Sequence, residues 1–296
     1  MAQIKNRKLG VGVGYRPAWR EFFLSPSPPD ISWIEIISEN FFRDGLAETR
    51  ARQTLRLLRN QYPVAMHGVG LNLASAEPLN RRYLDELKEL IGFTDPWLVT
   101  DHLCWTGLGG LNTFDLLPFP LNRESFTLVA EKVAQVQDFL GRSIALENIT
   151  YYAEPRGAEM PEWFFLNELC DRTGCGVLLD INNIYVNSQN LGTDPMEFLC
   201  KIKMAHVREI HLAGHSVGRD GLLIDTHGAP VRNEVWDLYQ EFLLLAGPLP
   251  TMIERDQGIP AWRDMEKELS RLKKIVWEAS GKNANSSSAQ MATSLS

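Results

Sequence analysis

The stretch Glu209-Ile-His211-Leu-Ala-Gly-His215, followed by Ile224-Asp225-Thr-His227-Gly228, gathers three of the chain's six histidines, each near a glycine or a carboxylate. Side chains alternate between faces along an extended segment, so Glu209 shares a face with His211, and Asp225 with His227. Neutral imidazole beside ionised carboxylate is a donor set for a hard or borderline divalent metal. A histidine that only makes hydrogen bonds at a strand end would account for any one of these placements equally well. Their concentration, and the recurrence of the same residue types elsewhere, favours the metal.

The elements that must position these residues come from apolar periodicity. Eight short β-rich runs recur, at Leu9–Gly14, Trp33–Ser38, Val64–Val69, Leu98–Leu103, Ile144–Ile149, Val177–Asn182, Glu209–Gly214 and Thr251–Asp256. Amphipathic helices are predicted between and after them over Ala47–Asn60, Asn80–Ile91, Glu124–Leu140, Pro161–Arg172, Pro195–Ile202, Glu234–Leu245 and Ala261–Ser280, with a shorter first connection around Pro17–Leu24. Strands that alternate with helices pair in parallel, and eight such units predict an α/β fold: a closed (β/α)8 TIM barrel forming a single domain over residues 1–280. An open doubly wound sheet is the alternative, but no G-x-G-x-x-G turn opens a helix. Gly10-Val-Gly12-Val-Gly14 reads as a strand that another group approaches closely. Residues 281–296, rich in Ser, Asn and Ala, are expected to be a disordered tail.

In such a barrel, reactive groups stand at the C-terminal ends of the strands and on the loops beyond. Those positions carry His67, Asp101-His102, Glu147-Asn148, Asp180 with Asn182 and Asn183, His211 and Glu254, while His215, Asp225 and His227 lie on the seventh loop. A lone carboxylate at a strand end is often a helix cap or an ion-pair partner. Glu147, Asp180 and Glu254 crowded into one mouth would repel one another unless protons or cations neutralised them.

Composition narrows the function classes. At 44% hydrophobic and 23% charged residues the 296-residue chain is ordinary globular material. The absence of a long apolar run argues against a membrane span, and the start lacks the apolar core of a secretion signal, so a cytoplasmic protein is expected. A formal charge of -7 argues against a polyanion-binding surface, and no nucleic-acid partner is expected. The four cysteines form no CxxC pair; most are expected to be buried free thiols, and Cys104 is expected to share a strand face with His102.

The runs His67-Gly-Val-Gly70, Asp101-His102-Leu, Leu146-Glu147-Asn148, Leu179-Asp180-Ile-Asn182-Asn183-Ile-Tyr185-Val, Glu209 to His215, Ile224 to Gly228 and Ile253-Glu254 together resemble the multinuclear non-haem iron-dependent oxidative enzymes. These are TIM-barrel peptide-modifying enzymes related to the methanobactin-biosynthesis oxygenase and the 3-thiaglutamate-biosynthesis enzyme. The likeness runs in order to about Trp277. It implies two or three iron ions in the barrel mouth and O2 as co-substrate. It also implies a cysteine of a ribosomally synthesised precursor or carrier peptide as the group modified, and a small peptide-recognition partner protein in a heterodimer.

Carried over by position, His67, His102 and Glu147 resemble the ligands of one iron, with Glu147 bridging to a second held by Asp180, His211 and Glu254. Asn183, Asp225 and His227 resemble the third site. His215, as ligand, proton donor or supporting partner, joins Asn148 and Asn182 as candidate catalytic residues. Glu39-Asn40 is expected to line the pocket, Arg255 bears on the substrate-facing wall, and His206 matches no motif and is read as structural or exposed. Two fates of the cysteine are implied: oxazolone and thioamide formation, or excision of the β-carbon from a C-terminal cysteine as in 3-thiaglutamate biosynthesis. The whole-chain likeness is nearer the second, and the residues decide neither. The competing functions are a divalent-metal sugar isomerase or phosphodiesterase of the same barrel type, and a non-catalytic metal-binding subunit. Oxygen dependence separates the first reading from both.

Overall fold

The computed structural model describes residues 9–43 and 49–293, apart from the side chains of residue 114 and residues 282–293. Twelve strands lie among them: β1 (Val11–Gly14), β2 (Trp33–Ile37), β3 (Val64–Gly68), β4 (Leu98–His102), β5 (Trp105–Leu108), β6 (Leu111–Leu117), β7 (Ala145–Glu147), β8 (Gly176–Asp180), β9 (Val207–Leu212), β10 (Ser216–Val217), β11 (Leu223–Ile224) and β12 (Thr251–Ile253). Eight of them close into one parallel barrel in the order β1-β12-β9-β8-β7-β4-β3-β2. These eight match the eight apolar runs of the sequence, and the TIM-barrel architecture follows.

The helices are α1 (Arg20–Phe23), α2 (Arg50–Leu58), α3 (Arg81–Thr94), α4 (Arg123–Leu140), α5 (Glu162–Thr173), α6 (Ile181–Leu191), α7 (Pro195–Lys201), α8 (Asn233–Ala246) and α9 (Trp262–Thr293). Side chains fix several starts: Thr49 caps α2, Asn80 caps α3, and Asn122 closes a capping box with Ser125 at α4. The expected start of α2 at Ala47 falls at residues 44–48, outside the described residues. The helix α9 continues into the stretch expected to be disordered, where the side chains beyond Gly281 are outside the description.

Three elements differ from expectation, and all three frame the barrel mouth. The segment after Asp180 is helix α6 with no intervening loop, so Asn182 and Asn183 occupy its first turn and not a strand end. Two antiparallel hairpins, β5–β6 and β10–β11, fill the connections after β4 and β9. The first turns at Gly109-Gly110, both at positive φ (64° and 76°), where glycine carries no Cβ penalty.

Inside the barrel, Trp33, Ala65, Leu98, Ala145 and Met252 form a buried apolar cluster at the strand starts. The indole of Trp33 fits because its neighbour on β1 is Gly12: a Cβ there would lie 2.4 Å from the ring. Two residues further along β2 and β3, the same alternation brings in Glu35 and His67, both buried. Apolar filling thus gives way to polar groups towards the mouth.

Gly12→Ala is expected to lower stability by about 1–3 kcal/mol through overpacking against Trp33. Gly10→Ala, whose Cβ would meet only Ser32 Oγ at 3.3 Å, is expected to stay close to wild type. Denaturant midpoints of the two variants check this; equal midpoints would contradict the packing account.

Candidate metal centre

The ends of β3, β4 and β7 place His67, His102 and Glu147 side by side. The His102 Nδ1 lies 3.1 Å from the carbonyl oxygen of Gly68, which can only accept, so the ring proton sits on Nδ1. The His67 Nδ1 lies 2.7 Å from Thr100 Oγ1, and that hydroxyl donates to the Met66 carbonyl, so His67 donates in turn. Both rings therefore present a bare Nε2, and each Nε2 lies 3.3 Å from Glu147 Oε2. Burial pushes the His67 imidazole well below its usual range and His102 to about 4, so both rings are neutral at pH 7. Fixing the far nitrogen to set the near one is the usual support for a metal-binding histidine.

Next around the barrel, β8 ends in Asp180, β9 carries His211 beside it in register, and Glu254 follows β12. Asp180 divides its two oxygens between tasks. Oδ1 accepts from Asn183 N at 2.6 Å and caps α6, while Oδ2 is buried with no hydrogen-bond partner. The His211 Nδ1 lies 3.1 Å from Glu254 Oε2, and Glu254 Oε1 is held by Arg16 Nη2 at 3.2 Å. Asn148 clamps this region: its amide donates to Asp180 O at 3.0 Å and accepts from Asp180 N at 2.9 Å. Both ends of that side chain are thereby engaged with backbone.

The remaining candidates form a chain of contacts over the mouth. Asn183 Nδ2 donates to Asn148 O and approaches Glu147 Oε1 at 3.4 Å, leaving its buried Oδ1 without a partner. The His227 Nε2 lies 2.7 Å from Asp225 Oδ1 and 3.9 Å from Asp180 Oδ2, and its Nδ1 lies 3.2 Å from Glu254 Oε2. Its backbone sits at φ 45°, a conformation that costs a non-glycine residue about 1–3 kcal/mol and here turns the ring back towards the barrel. Asn182 donates to Asp225 Oδ1 at 2.9 Å and accepts from His215 Nδ1 at 2.8 Å. His215 is stacked on Tyr185 and is linked to Asp225 through Asn182.

The other residues singled out in the sequence take varied places. Cys104 lies beyond the end of β4 and packs with Ile149 and Tyr151, where burial pushes its thiol well up, so it does not share the face of His102. Arg255 is buried and pairs with Glu268 of α9 at 2.7 Å. Glu39 accepts from Tyr83 Oη at 2.6 Å and from Val69 N at 2.8 Å beside the mouth. His206 pairs with Asp171 at the surface. Sequence reasoning missed Glu35, which is buried with Oε1 3.3 Å from His211 Nε2, and Arg16. A carboxylate inside the apolar run Trp33-Ile-Glu35-Ile-Ile was the signal for the first.

The donors fit divalent cations on the geometry alone. Four three-residue sets have ligand atoms within 4.8 Å of one another: His67, His102 and Glu147; Glu35, His211 and Glu254; Glu147, Asp180 and His211; and Asp180, His227 and Glu254. Glu147 Oε2, Asp180 Oδ2, both nitrogens of His211 and His227 Nε2 are buried with no partner in hydrogen-bond geometry, although acid and base lie within contact distance. Atoms that are close yet do not point at one another, and point instead into shared space, are arranged as ligands around an ion. Without one, burial raises Glu147 well above the usual carboxylate range and Asp180 to about 7. Against the burial that lowers it, Glu35, Glu209 and Glu254 lift His211 well up; Asp225, Glu254 and Asp256 do the same for His227. Cations would replace those protons.

Among solved structures, the fold is similar to endonuclease IV from Thermus thermophilus (16% identity, TM-score 0.58, covering 91% of this chain and 99% of that one). It is also similar to D-psicose 3-epimerase from Clostridium cellulolyticum (13% identity, TM-score 0.57, covering 92% of this chain and 98% of that one). At these identities the likeness shows the barrel and nothing of its chemistry. The UPF0276 protein of Rhizorhabdus wittichii is 45% identical over 269 residues, 91% of this chain and 95% of that protein. The UPF0276 protein VP3015 of Vibrio parahaemolyticus is 42% identical over 254 residues, 85% and 87% of the two chains. The family described as RiPP precursor modification enzyme MbnB/TglH/ChrH matches residues 10–277, and the chain belongs to it.

Proposed function

We propose that this chain is a multinuclear non-haem iron enzyme that uses O2 to modify a cysteine of a ribosomally synthesised peptide. The observation that carries the proposal is the convergence of unpartnered, buried imidazole and carboxylate atoms at one barrel mouth, in a member of a family that modifies such precursors. Histidine and carboxylate without thiolate suit iron or manganese better than structural zinc. Bound iron would supply the redox chemistry and a site for the substrate thiolate. In this reading His67, His102 and Glu147 hold one ion, and Asp180, His211 and Glu254, sharing Glu147, hold the second. Asn183 Oδ1, Asp225 and His227 hold the third. Asn148 keeps the ends of β7 and β8 in register, and the Asn182 amide links His215 to Asp225, so that His215 can pass or hold a proton at the edge of the centre.

A small partner protein that presents the precursor or carrier peptide, a cytoplasmic setting, and excision of the cysteine β-carbon as the nearer of the two fates belong to the same proposal. No helix among the described residues is long and apolar enough to cross a membrane, and the four cysteines are free, which suits a reducing compartment.

Protein purified without oxygen is expected to hold more than one iron per chain, and His211→Ala to lose both iron and oxygen-dependent turnover. Full activity in metal-stripped protein would exclude the scheme, and turnover without oxygen would favour an isomerase. A precursor with its cysteine replaced by serine is expected to pass unmodified, read as an unchanged peptide mass; undiminished oxidation would contradict thiolate binding. Protons held by Asp180, His211 and His227 in the metal-free centre must leave as ions enter, so iron uptake should tighten as pH rises from about 6 to about 8. Calorimetry in buffers of different ionisation enthalpy measures the release, and uptake independent of pH would count against it.

A further inference from the structure

The loop after β7, the start of α5 and the turn between α6 and α7 enclose a cavity of about 280 Å³, and none of the candidate metal ligands lines it. Drug-sized ligands occupy pockets of about 300–1,000 Å³, so this one has room for a single side chain or a small organic molecule. Two kinds of residue face it. Met160, Trp163, Ile184, Leu191 and Phe198 supply an apolar wall, while Glu154, Glu162, Asp194 and Glu197 bring four carboxylates. No lysine, arginine or histidine stands among the described residues that line it.

Glu162 is the anchored member of the four. It opens α5, and its Oε1 accepts from Tyr151 Oη at 3.1 Å and from Ile149 N at 3.4 Å. Its Oε2 has no hydrogen-bond partner among the described residues. Tyr151 is held in turn, since its backbone N–H donates to Asn187 Oδ1 at 2.6 Å. Burial holds the Glu162 carboxyl up at about 8, and only the two hydrogen bonds draw it back. A carboxyl so placed is short of a positive partner. The exposed Glu154, Asp194 and Glu197 add negative charge at the opening.

We infer that this cavity binds an alkylguanidinium or alkylammonium group, its stem along the apolar wall and its charged head at Glu162. An anion would meet four acids and no base. A neutral apolar ligand would bury Glu162 further and leave it without a partner. A cation on a short carbon stem satisfies both halves of the lining, and aromatic rings such as Trp163 and Phe198 attract a cation that lies over their faces. Such a group comes either as an arginine or lysine side chain of a peptide or as a free amine. The inference is independent of the metal-centre reading, because the two sites share no residue.

The test titrates the full-length chain, labelled with methyl-¹³C methionine, with butylguanidinium and with its neutral isostere butylurea. The Met160 methyl signal, identified by its loss in Met160→Leu, reports on the cavity, and that of Met66, next to His67, reports on the barrel mouth. Butylguanidinium is expected to move Met160, and butylurea to bind about tenfold more weakly or worse. Glu162→Gln is expected to weaken butylguanidinium by a similar factor, and the exposed Glu197→Gln by less. Equal affinity for guanidinium and urea would overturn the inference, as would wild-type affinity in both glutamine variants. Movement of Met66 with Met160 unmoved would also overturn it, by placing the cation in the mouth. A second arm compares butylguanidinium with the capped peptide acetyl-Gly-Arg-Gly-amide: tighter binding of the peptide supports a side chain as the natural occupant, and tighter binding of the free compound supports a small amine.

Discussion

Mutual repulsion among buried carboxylates is the constraint on which the centre depends. Glu35, Glu147, Asp180, Glu209 and Glu254 are all 3% exposed or less, and they share one barrel interior with two imidazoles that are completely covered or nearly so, His67 and His211. In a medium that solvates charge poorly, such a group cannot remain fully ionised without cations or protons among it. The chain supplies only one buried guanidinium directly against these acids among the described residues, that of Arg16 on Glu254. Arg255, the residue after Glu254, pairs instead with Glu268 of α9. The deficit of positive charge is therefore built into the fold, and it is what an incoming metal ion would meet.

The scaffold makes that deficit useful by fixing the donors in advance. Separate devices hold each of them: a carbonyl for His102, a hydroxyl for His67, a helix cap for one oxygen of Asp180, a guanidinium for one oxygen of Glu254. Each device occupies one polar atom of the side chain and leaves the other facing the common space. The barrel makes this possible because neighbouring strands arrive in register: His102 sits beside Glu147, and Asp180 beside His211. Apolar filling by Trp33 and its neighbours packs the opposite end of the barrel.

The barrel was legible in the sequence because a parallel strand buried on both faces reads as a short apolar run, and a donor at its end breaks that run conspicuously. That is how His67, His102, Glu147, Asp180, His211 and Glu254 could be found from the chain alone. Glu35 was harder, because it lies in the middle of its strand, where a charge looks like an interruption and gains meaning only when the barrel closes around it. Arg16 was not legible at all: its partner Glu254 is 238 residues away, and nothing local in Tyr15-Arg16-Pro17 points there. The helix α6 was hidden because Ile-Asn-Asn-Ile-Tyr-Val combines β-branched residues with asparagine, both weak helix formers. Its one local sign was Asp180 at the cap, a residue already read for its chemistry. The turn signal at Gly109-Gly110 was present but lay in a connection where no strand pair was sought.

Fold likeness leaves the reaction open, as the range of its neighbours shows. A barrel of this shape serves an endonuclease and a sugar epimerase at similar TM-scores, so shape cannot choose between them and a peptide-modifying enzyme. What can choose is the donor inventory of the rim. Sets that share Glu147, Asp180, His211 and Glu254 overlap, so ions placed in them would be neighbours and would feel one another's charge. Glu147 belongs both to the set with His67 and His102 and to the set with Asp180 and His211, so a change at Glu147 would reach any ions held by the two sets together. A single isolated ion needs no such sharing, and the overlap therefore weighs towards chemistry in which adjacent metals act on one substrate.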